Sequence, residues 1–399
     1  MLHRLRSSLR FGGASVGILS MAACMSPPGG TPTTTPSKPT PTVASPVVDN
    51  QVLRGRAIVI SNACGDCHGG GGNPAATGWV AGMMTPQQEF KIGPFKTRAR
   101  NLTPDSATGI GKYSERQIFN ALRFGLRPGE TPDVDITSNV PGQGNHPATP
   151  KYLAVPMPWE AWRHMPDGDL RAIAAYLKRG LKPVTNKVPD SEGPPDFWAS
   201  EYTVEKIGPY PAAAFPTANE MSGSGSPEQV QRGRFLTISK DCGGCHAGGS
   251  SPAAKGWLAG MTRPDQEFEI GPFKTRPRNL TPDNTTGMGR FTERQIFNAL
   301  RFGLRPGETP DVEITSTVPG EGNHPANPKY LAVPMPWPTW RNMPDEELWA
   351  IAAYLKHGVK PVSNKVPDSE GPPDFWASSY TVAKIGPYPA APYPTANER

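Results

Sequence analysis

The chain has 399 residues, of which 36% are hydrophobic and 19% are charged, so it is long enough for two or three packed domains. Its formal net charge of +6 is not gathered into a run of Lys and Arg, which argues against a nucleic-acid partner. A mean hydropathy of −0.48 argues against an integral membrane protein. The 49 prolines and 43 glycines predict short helices joined by long loops.

The first residues have the pattern of an export signal. Three arginines precede an apolar stretch over residues 11–23, which predicts that residues 1–23 are a signal peptide. The stretch ends in Leu-Ser-Met-Ala-Ala before Cys24 and resembles a bacterial lipobox, so we expect a lipid on Cys24. The alternative is ordinary cleavage that leaves Cys24 as a thiol. The pattern predicts a protein of the bacterial cell envelope, anchored at the periplasmic face of a membrane.

A segment rich in Pro, Thr and Ser follows the signal. Residues 24–50 show neither a helical nor a strand period, and we interpret them as a lipid-anchored tether. If extended, such a segment spans roughly 80 Å, at ~3.1 Å per residue. That length would let the rest of the chain reach partner proteins.

The remainder of the chain is a tandem repeat. Residues 51–220 align without a gap with residues 229–398 at an offset of 178, the separation of Cys64 from Cys242, and roughly three positions in four are identical. We predict the following organisation: domain 1 over 51–184 with an extension over 185–221, a linker over 222–228, and domain 2 over 229–362 with an extension over 363–399.

A short helix predicted over 52–63 leads into the first of two Cys-x-x-Cys-His motifs. The motifs comprise Cys64, Cys67 and His68, and Cys242, Cys245 and His246. This pattern is the attachment signature of c-type haem. Two cysteines at this spacing form thioethers with the two vinyl groups of one porphyrin, and the adjoining histidine becomes the proximal iron ligand. The sequence therefore predicts two covalently bound haem c groups.

Two other interpretations of the motif fit less well. A thioredoxin-like dithiol expects a βαβ context, for which the sequence gives no sign. A zinc site needs four ligands, and each motif supplies three, two of them adjacent in the chain.

Further along each copy, local signals predict two more helices. Ser114 and Gln117 form a capping-box pattern that Thr292 and Gln295 repeat, and Gly125 offers a stop. A last helix follows Asp167, with Leu170, Ile173, Ala174 and Leu177 on one face and Gly180 at its end. No segment shows the alternation of a sheet, and the extension from Gly193 onward is too rich in proline for a helix. We therefore predict an all-α fold of two tandem cytochrome c-like domains with long Pro/Gly-rich loops.

Between these helices each copy presents a methionine flanked by prolines. Met157 and Met335 are our first candidates for the sixth iron ligand, because the prolines restrict the loop that offers the sulfur. A His/Met pair raises the haem potential. Other candidates recur at the same offset: Met165 and Met343, Met83 and Met261, and His146 and His324.

The motifs together resemble class I cytochrome c domains of the bacterial dihaem and dehydrogenase-subunit kind. The matching segments of the first copy are Arg54-Gly55, Cys64 to His68, Asn101 to Asp105, Thr108 to Gly111, Ala121 to Gly125, Met157 to Trp159 and Ala172 to Leu177, and the second copy matches from Arg232 to Leu355. The resemblance implies a helical fold around haem, with the first and last helices crossing near Gly55 and Tyr176. It also implies that the Met of the Met-Pro-Trp segment is the distal ligand.

Several arginines, asparagines and tryptophans allow two interpretations of their role. Arg98, Arg100 and Asn101, with Arg276, Arg278 and Asn279, either bind haem propionates or form a solvated basic loop, and the loop is favoured. Trp79, Trp159 and Trp162 either line a haem edge or pack in the core, and packing is favoured.

The sequence thus predicts an electron carrier rather than an enzyme. We expect it to pass electrons from a periplasmic donor, such as a dehydrogenase, to a respiratory acceptor. A dihaem peroxidase is the main alternative, and a haem-based ligand sensor is another. Both need an exchangeable iron position, and a peroxidase also needs two unlike sites.

Overall fold

The computed structural model describes residues 49–84, 89–92, 95–192, 195–262, 267–270, 273–370 and 373–399. The predicted signal peptide, Cys24 and all but the last two residues of the predicted tether lie outside these ranges.

The first copy contains six α-helical segments and one pair of strands within the described residues. In chain order they are α1 (Asn50–Ser61), α2 (Cys64–His68), β1 (Glu89–Ile92), β2 (Phe95–Arg98), α3 (Glu115–Phe124), α4 (Trp159–Trp162), α5 (Asp167–Ala175) and α6 (Val204–Ile207). A wider π-helical turn, Tyr176–Gly180, continues α5, and 3₁₀ turns lie at Pro128–Glu130 and Pro195–Glu201.

The second copy repeats this order. Its elements are α7 (Pro227–Ser239), α8 (Cys242–His246), β3 (Phe268–Ile270), β4 (Phe273–Thr275), α9 (Glu293–Phe302), α10 (Trp337–Trp340), α11 (Asp345–Ala353) and α12 (Val382–Ile385). The turn Tyr354–Gly358 extends α11, and 3₁₀ turns lie at Met288–Arg290, Pro306–Glu308 and Pro373–Ser379. The prediction of a mainly helical protein is confirmed.

Side-chain caps fix where the helices begin. The Asp49 carboxylate accepts hydrogen bonds from the amides of Gln51 and Val52, so α1 starts at Asn50, inside the predicted tether. The capping boxes at Ser114 and Thr292 both form, and α3 and α9 end at left-handed glycines, as the sequence predicts.

The first and last helices of each copy pack across one another through a glycine. A Cβ on Gly55 would overlap the carbonyl of Ala172 in α5 and the Tyr176 side chain, and Gly233 meets Ala350 and Tyr354 in the same way. The close approach of α1 to α5 and of α7 to α11 therefore requires a residue without a side chain.

The expectation of no sheet is wrong. In each copy two short strands pair antiparallel, with Glu89 opposite Arg98 and Phe268 opposite Thr275. Each strand has only three or four residues, so its alternation is too brief to stand out in the sequence. The strict all-α prediction is corrected to a mainly helical fold with two β-hairpins.

The expectation of no helix in the extensions is also wrong. The 3₁₀ turn at Pro195–Glu201 begins with proline, whose missing amide is not needed at a helix start. One turn of α-helix, α6, follows it, and Pro373–Ser379 and α12 repeat the pattern.

The two largest apolar clusters of the described residues each include residues from the end of the other copy, and a smaller third cluster surrounds Trp159 and Trp198. The first surrounds α1, α3 and α5 and is joined by Ala390 and Tyr393. The second surrounds α7, α9 and α11 and is joined by Ala212 and Phe215. In the part of the chain that the structure describes, no helix combines the length and apolar character needed to cross a bilayer.

Candidate functional site

Each Cys-x-x-Cys-His motif forms a single tight helical turn, α2 or α8. The residue before it adopts the left-handed conformation, with φ of 57° at Ala63 and 55° at Asp241. A side chain on Gly65 would overlap the Gly71 carbonyl and the Trp79 ring. The backbone of the motif is therefore held by packing from behind.

The histidine of each motif is oriented by a backbone carbonyl. His68 Nδ1 lies 2.6 Å from the Arg100 oxygen, and His246 Nδ1 lies 2.7 Å from the Arg278 oxygen. Because a carbonyl only accepts, Nδ1 carries the proton and Nε2 keeps its lone pair, as a metal-ligating imidazole requires. Burial lowers the pKa of both histidines, which favours the neutral ring.

The four motif cysteines are free thiols, and none is in a disulfide. Burial raises the pKa of Cys64 and of Cys242 to about 12, and that of Cys245 to about 11. A raised pKa keeps these thiols protonated at neutral pH, unlike the thiolate of a redox-active dithiol, whose pKa is lowered. The thiol pKa values therefore disfavour the thioredoxin-like interpretation.

The loop that carries Met157 is fixed at several points. Leu126 pairs with Tyr152, the Leu153 amide donates to the Gly125 carbonyl at 2.7 Å, and the Met157 amide donates to Ala154 at 2.9 Å. The loop that carries Met335 repeats these bonds. Hydrogen bonds and prolines together restrict where each thioether lies.

Both motifs and both methionine loops line one continuous cavity of about 1430 Å³. The predicted site residues among its lining are Cys64, Cys67, His68, Met157, Cys242, Cys245, His246 and Met335. A pocket for a single small molecule typically has ~300–1,000 Å³. The structure thus brings the eight predicted residues to one space, larger than the usual single site.

The other candidates for the sixth ligand lie elsewhere. Met165 and Met343 are buried in the two apolar cores. His146 packs edge-on against Phe124 and shares a 3.2 Å hydrogen bond with Pro147. None of these residues, nor His324, Met83 or Met261, lines the cavity.

The arginines near the motifs are engaged by the extension of their own copy. Arg98 pairs with Glu192, and Arg100 pairs with Asp190 at 2.7 Å. The Asn101 amide nitrogen donates to the Val184 carbonyl at 2.7 Å. The same three contacts recur at Arg276, Arg278 and Asn279. The arginines therefore fasten the extension, a role that the sequence did not predict. They and the two asparagines also line the cavity, so propionate binding stays a prediction.

The three tryptophans of the first copy have different positions. Trp162 lines the cavity, Trp79 is fully buried behind the motif, and Trp159 stacks on Tyr152. Packing thus accounts for two of them, while Trp162 and its counterpart Trp340 lie where a haem edge is predicted.

The two sites differ just before the first cysteine. Lys240 and Asp241 stand where the first copy has Asn62 and Ala63, and the Lys240 ammonium donates to the Ser61 hydroxyl across the copies at 3.0 Å. Burial lowers the pKa of Lys240 to about 8 and raises that of Asp241 to about 7. Lys240 and Asp241 are not among the residues predicted from sequence, although the charge difference between the copies marks them.

The residues present fit a c-type haem in each copy. Each site offers two thiols, an imidazole with a free Nε2 and a thioether. The rest of the lining combines aliphatic side chains, including Leu102, Leu122, Ile173 and Leu177, with charged ones, several of them arginines. Aliphatic walls suit the porphyrin ring, and arginines suit its propionates.

Comparison with known proteins gives similar chains, several of which are named as cytochrome subunits of dehydrogenases. The gluconate 2-dehydrogenase cytochrome c subunit of Pantoea cypripedii is 27% identical over 333 residues, which cover 80% of this chain and 62% of that subunit. The alcohol dehydrogenase (quinone) cytochrome c subunit of Gluconacetobacter polyoxogenes is 30% identical over 169 residues, 41% of this chain and 30% of that subunit. The fructose dehydrogenase cytochrome subunit of Gluconobacter japonicus is 27% identical over 153 residues, 37% of this chain and 24% of that subunit.

The chain spans less than two thirds of the length of each of these relatives. No protein-family model matches it. The similarity to cytochrome c subunits nevertheless agrees with the two attachment motifs, and together they support a protein of the cytochrome c type that carries haem c.

Proposed function

We propose that this chain is a dihaem c-type cytochrome that carries electrons from a periplasmic donor to a respiratory acceptor. The observation that carries the proposal is the single cavity lined by both motifs and both methionine loops. Two haem sites that open into one space suit the passage of electrons from one to the other within the chain.

In this proposal the side chains hold the cofactor and keep water away from it. Cys64 and Cys67 hold one haem through thioethers, with His68 and Met157 as iron ligands. Cys242, Cys245, His246 and Met335 do the same for the second. When bound, each haem supplies a one-electron Fe(III)/Fe(II) couple. The Arg100 and Arg278 carbonyls fix the imidazoles, and the aliphatic walls exclude solvent.

The donor we propose is a dehydrogenase. The relatives are named as cytochrome subunits of gluconate, alcohol and fructose dehydrogenases. A chain of this kind acts as a carrier for such an enzyme and is not itself the catalyst. We further propose that a lipid on Cys24 anchors it at the periplasmic face of the cell envelope, with residues 1–23 removed.

Two measurements test the cofactor content. The full chain is matured in a host that attaches haem, and its intact mass is determined. We expect the mass of two haems on the wild type and of one haem on the Cys242→Ala/Cys245→Ala variant. A wild-type protein without added porphyrin would refute the proposal, and a single porphyrin would remove the relay between the two sites.

Reactivity separates the carrier from the enzyme alternatives. Six-coordinate iron in both copies should leave the spectrum of the reduced protein unchanged by carbon monoxide, and peroxide should not be turned over rapidly. Fast turnover or ready binding at one haem would favour a peroxidase or a ligand sensor. Isolation of the membrane-anchored protein with its co-purifying dehydrogenase would test the partner.

A further inference from the structure

Each copy ends in a carboxylate that is buried in the other copy. Glu220, the last aligned residue of the first copy, and Glu398, its counterpart in the second, are each only 1% exposed. Glu398 accepts from Arg56 Nε at 2.7 Å and from the Tyr176 hydroxyl at 2.5 Å. These two partners belong to the first copy, to α1 and to the turn after α5.

The reciprocal contact has the same chemistry. Glu220 accepts from Arg234 Nε and from the Tyr354 hydroxyl, both at 2.6 Å. Arg234 and Tyr354 lie in α7 and in the turn after α11. The two copies therefore exchange the glutamates at their ends: Glu220 of the first copy binds the second, and Glu398 of the second binds the first.

Backbone contacts fasten both exchanged segments. Glu398 forms a β-bridge with Leu181, and Glu220 forms one with Val359. Their second carboxylate oxygens accept from the amides of Thr395 and Thr217. The exchanged ends are thus fully hydrogen-bonded, as a buried charge requires.

A chain of contacts connects each carboxylate to a haem-attachment turn. The Trp79 indole donates to the Tyr176 hydroxyl at 2.9 Å, and the same ring packs on Gly65, between the two cysteines of the first motif. In the second copy Trp257 donates to Tyr354 at 3.0 Å and packs on Gly243. The tyrosine and tryptophan are fully buried in both copies, so this arrangement has little room to adjust.

We propose that Glu398 and Glu220 are positioning residues that act across the copies: Glu398 sets the environment of the haem on the first motif, and Glu220 sets that of the haem on the second. The proposal rests on the haem sites of the proposed function. Each carboxylate orients its tyrosine, the tyrosine orients the tryptophan, and the tryptophan supports the turn that carries both attachment cysteines.

The sign of the electrostatic effect follows from the ion pair. Arg56 is 11% exposed at its side chain, and Glu398 balances its charge. Replacement by glutamine keeps the shape but leaves the buried guanidinium uncompensated. A net positive charge added in a medium of low dielectric favours the ferrous state. The reduction potential of the first-motif haem should therefore rise in Glu398→Gln.

The test compares Glu398→Gln and Glu220→Gln in the full, haem-loaded chain by potentiometric titration with optical detection. We expect Glu398→Gln to raise the potential of the first-motif haem alone and Glu220→Gln to raise that of the second alone. The Cys242→Ala/Cys245→Ala background, which keeps only the first haem, assigns the transitions. In that background Glu398→Gln should shift the remaining potential and Glu220→Gln should not.

Glu192→Gln is the matched control, because Glu192 lies in the same extension as Glu220 and also pairs with an arginine, but within its own copy. It should leave the second-motif haem unchanged. Tyr176→Phe removes the hydroxyl between Glu398 and Trp79 without a change of charge. Tyr176→Phe should shift the reduction potential by less than Glu398→Gln, again at the first haem alone. This variant replaces Glu398→Gln in the test if Glu398→Gln does not fold.

The outcomes are distinguishable from a failure of the proposed function. Absence of porphyrin mass on the wild type would refute the function itself. If both haems are present and Glu398→Gln shifts neither potential, shifts both equally, or shifts only the second, the positioning role across the copies is overturned. An unchanged first haem in Tyr176→Phe would overturn the link through Trp79.

Discussion

At the scale of single residues, the position before each motif has an unfavourable backbone conformation. Ala63 has a φ of 57°, a region that residues with a Cβ rarely adopt. The cost of such a conformation is typically ~1 kcal/mol or more. The turn after it is held by the packing of Trp79 on Gly65.

Because of this conformation, an Ala→Gly substitution should have opposite effects on stability at residue 63 and within helix α1. Ala63→Gly should stabilise the haem-loaded protein by about 0.5–1 kcal/mol, because glycine tolerates positive φ. Ala57→Gly, at an exposed position within α1, should destabilise it by a similar amount. Denaturant unfolding of both variants checks the prediction. A loss of stability in Ala63→Gly would show that the methyl group matters more than the backbone.

The buried carboxyl of Glu160 should make the stability of the fold depend on pH. Burial, and then the charge of Asp241, raise the pKa of Glu160 to about 8. The folded state therefore keeps a proton that the unfolded chain releases above pH ~4.5, and stability is lost as pH rises from there to about 8. Glu160→Gln should be neutral at pH 5 and more stable than the wild type at pH 8.5, by at least ~1 kcal/mol, the worth of roughly one pKa unit.

Denaturant midpoints at the two pH values measure this difference. Glu346→Gln, at an exposed position of α11, is the control and should show no such change between them. An equal effect of Glu160→Gln at both pH values would contradict the raised pKa.

The motif residues could be predicted because their chemistry is local in sequence. Cys64 to His68 are consecutive, and the Met157 loop is marked by its own prolines. The carbonyl that orients His68 could not be predicted, since every residue has a carbonyl and only the fold selects Arg100. The assignments of ligands and attachment cysteines stay predictions until haem is measured.

At the scale of elements, the crossing of α1 and α5 depends on one missing side chain. Gly55→Ala would drive a methyl group into the Ala172 carbonyl. Overpacking of this kind typically costs about 1–3 kcal/mol, and here the obstacle is backbone. We expect a loss in this range or above it in denaturant unfolding.

Gly168→Ala is the matched control for Gly55→Ala. A Cβ at Gly168 meets nothing within 4 Å, and the second copy has Glu346 at this position. The control should stabilise α5 by about 0.5–1 kcal/mol. Equal tolerance of both substitutions would show that the helices do not cross as closely as the structure indicates.

Elements with a long period or a cap could be predicted from sequence, and short ones could not. The capping boxes of α3 and α9 and the apolar face of α5 were recognisable because each spans several residues of fixed spacing. The hairpins of β1 with β2 and β3 with β4 have too few residues for a period. Strands β2 and β4 also form β-bridges with Glu192 and Glu370, which are distant from them in the chain.

At the scale of the whole molecule, the exchange of Glu220 and Glu398 between the copies could not be predicted from the sequence. Because the copies are repeats, Arg56 and Arg234 are equivalent partners for either carboxylate by pattern alone. Only the path of the chain decides that Glu398 meets Arg56 and Glu220 meets Arg234.

Removal of residues 391–399, whose hydrogen bonds reach Arg56, Tyr176 and Pro74, should therefore loosen the copy to which they do not belong. We expect amide hydrogen exchange to accelerate in α1 and in the turn after α5, which lose the Glu398 contacts, while α7 keeps its protection through Glu220. Exchange followed by mass spectrometry of the haem-loaded protein provides this comparison within one molecule. Acceleration confined to the second copy would contradict the exchange.

The reciprocal ends also dictate an order of assembly during synthesis. The N-terminal half emerges first, yet Arg56 lacks its buried counter-charge and Tyr176 lacks its hydrogen-bond acceptor until the segment with Glu398 has been made. The second half has Glu220 from the outset, because that residue precedes it. The half that is translated first is therefore the last to gain its full set of contacts.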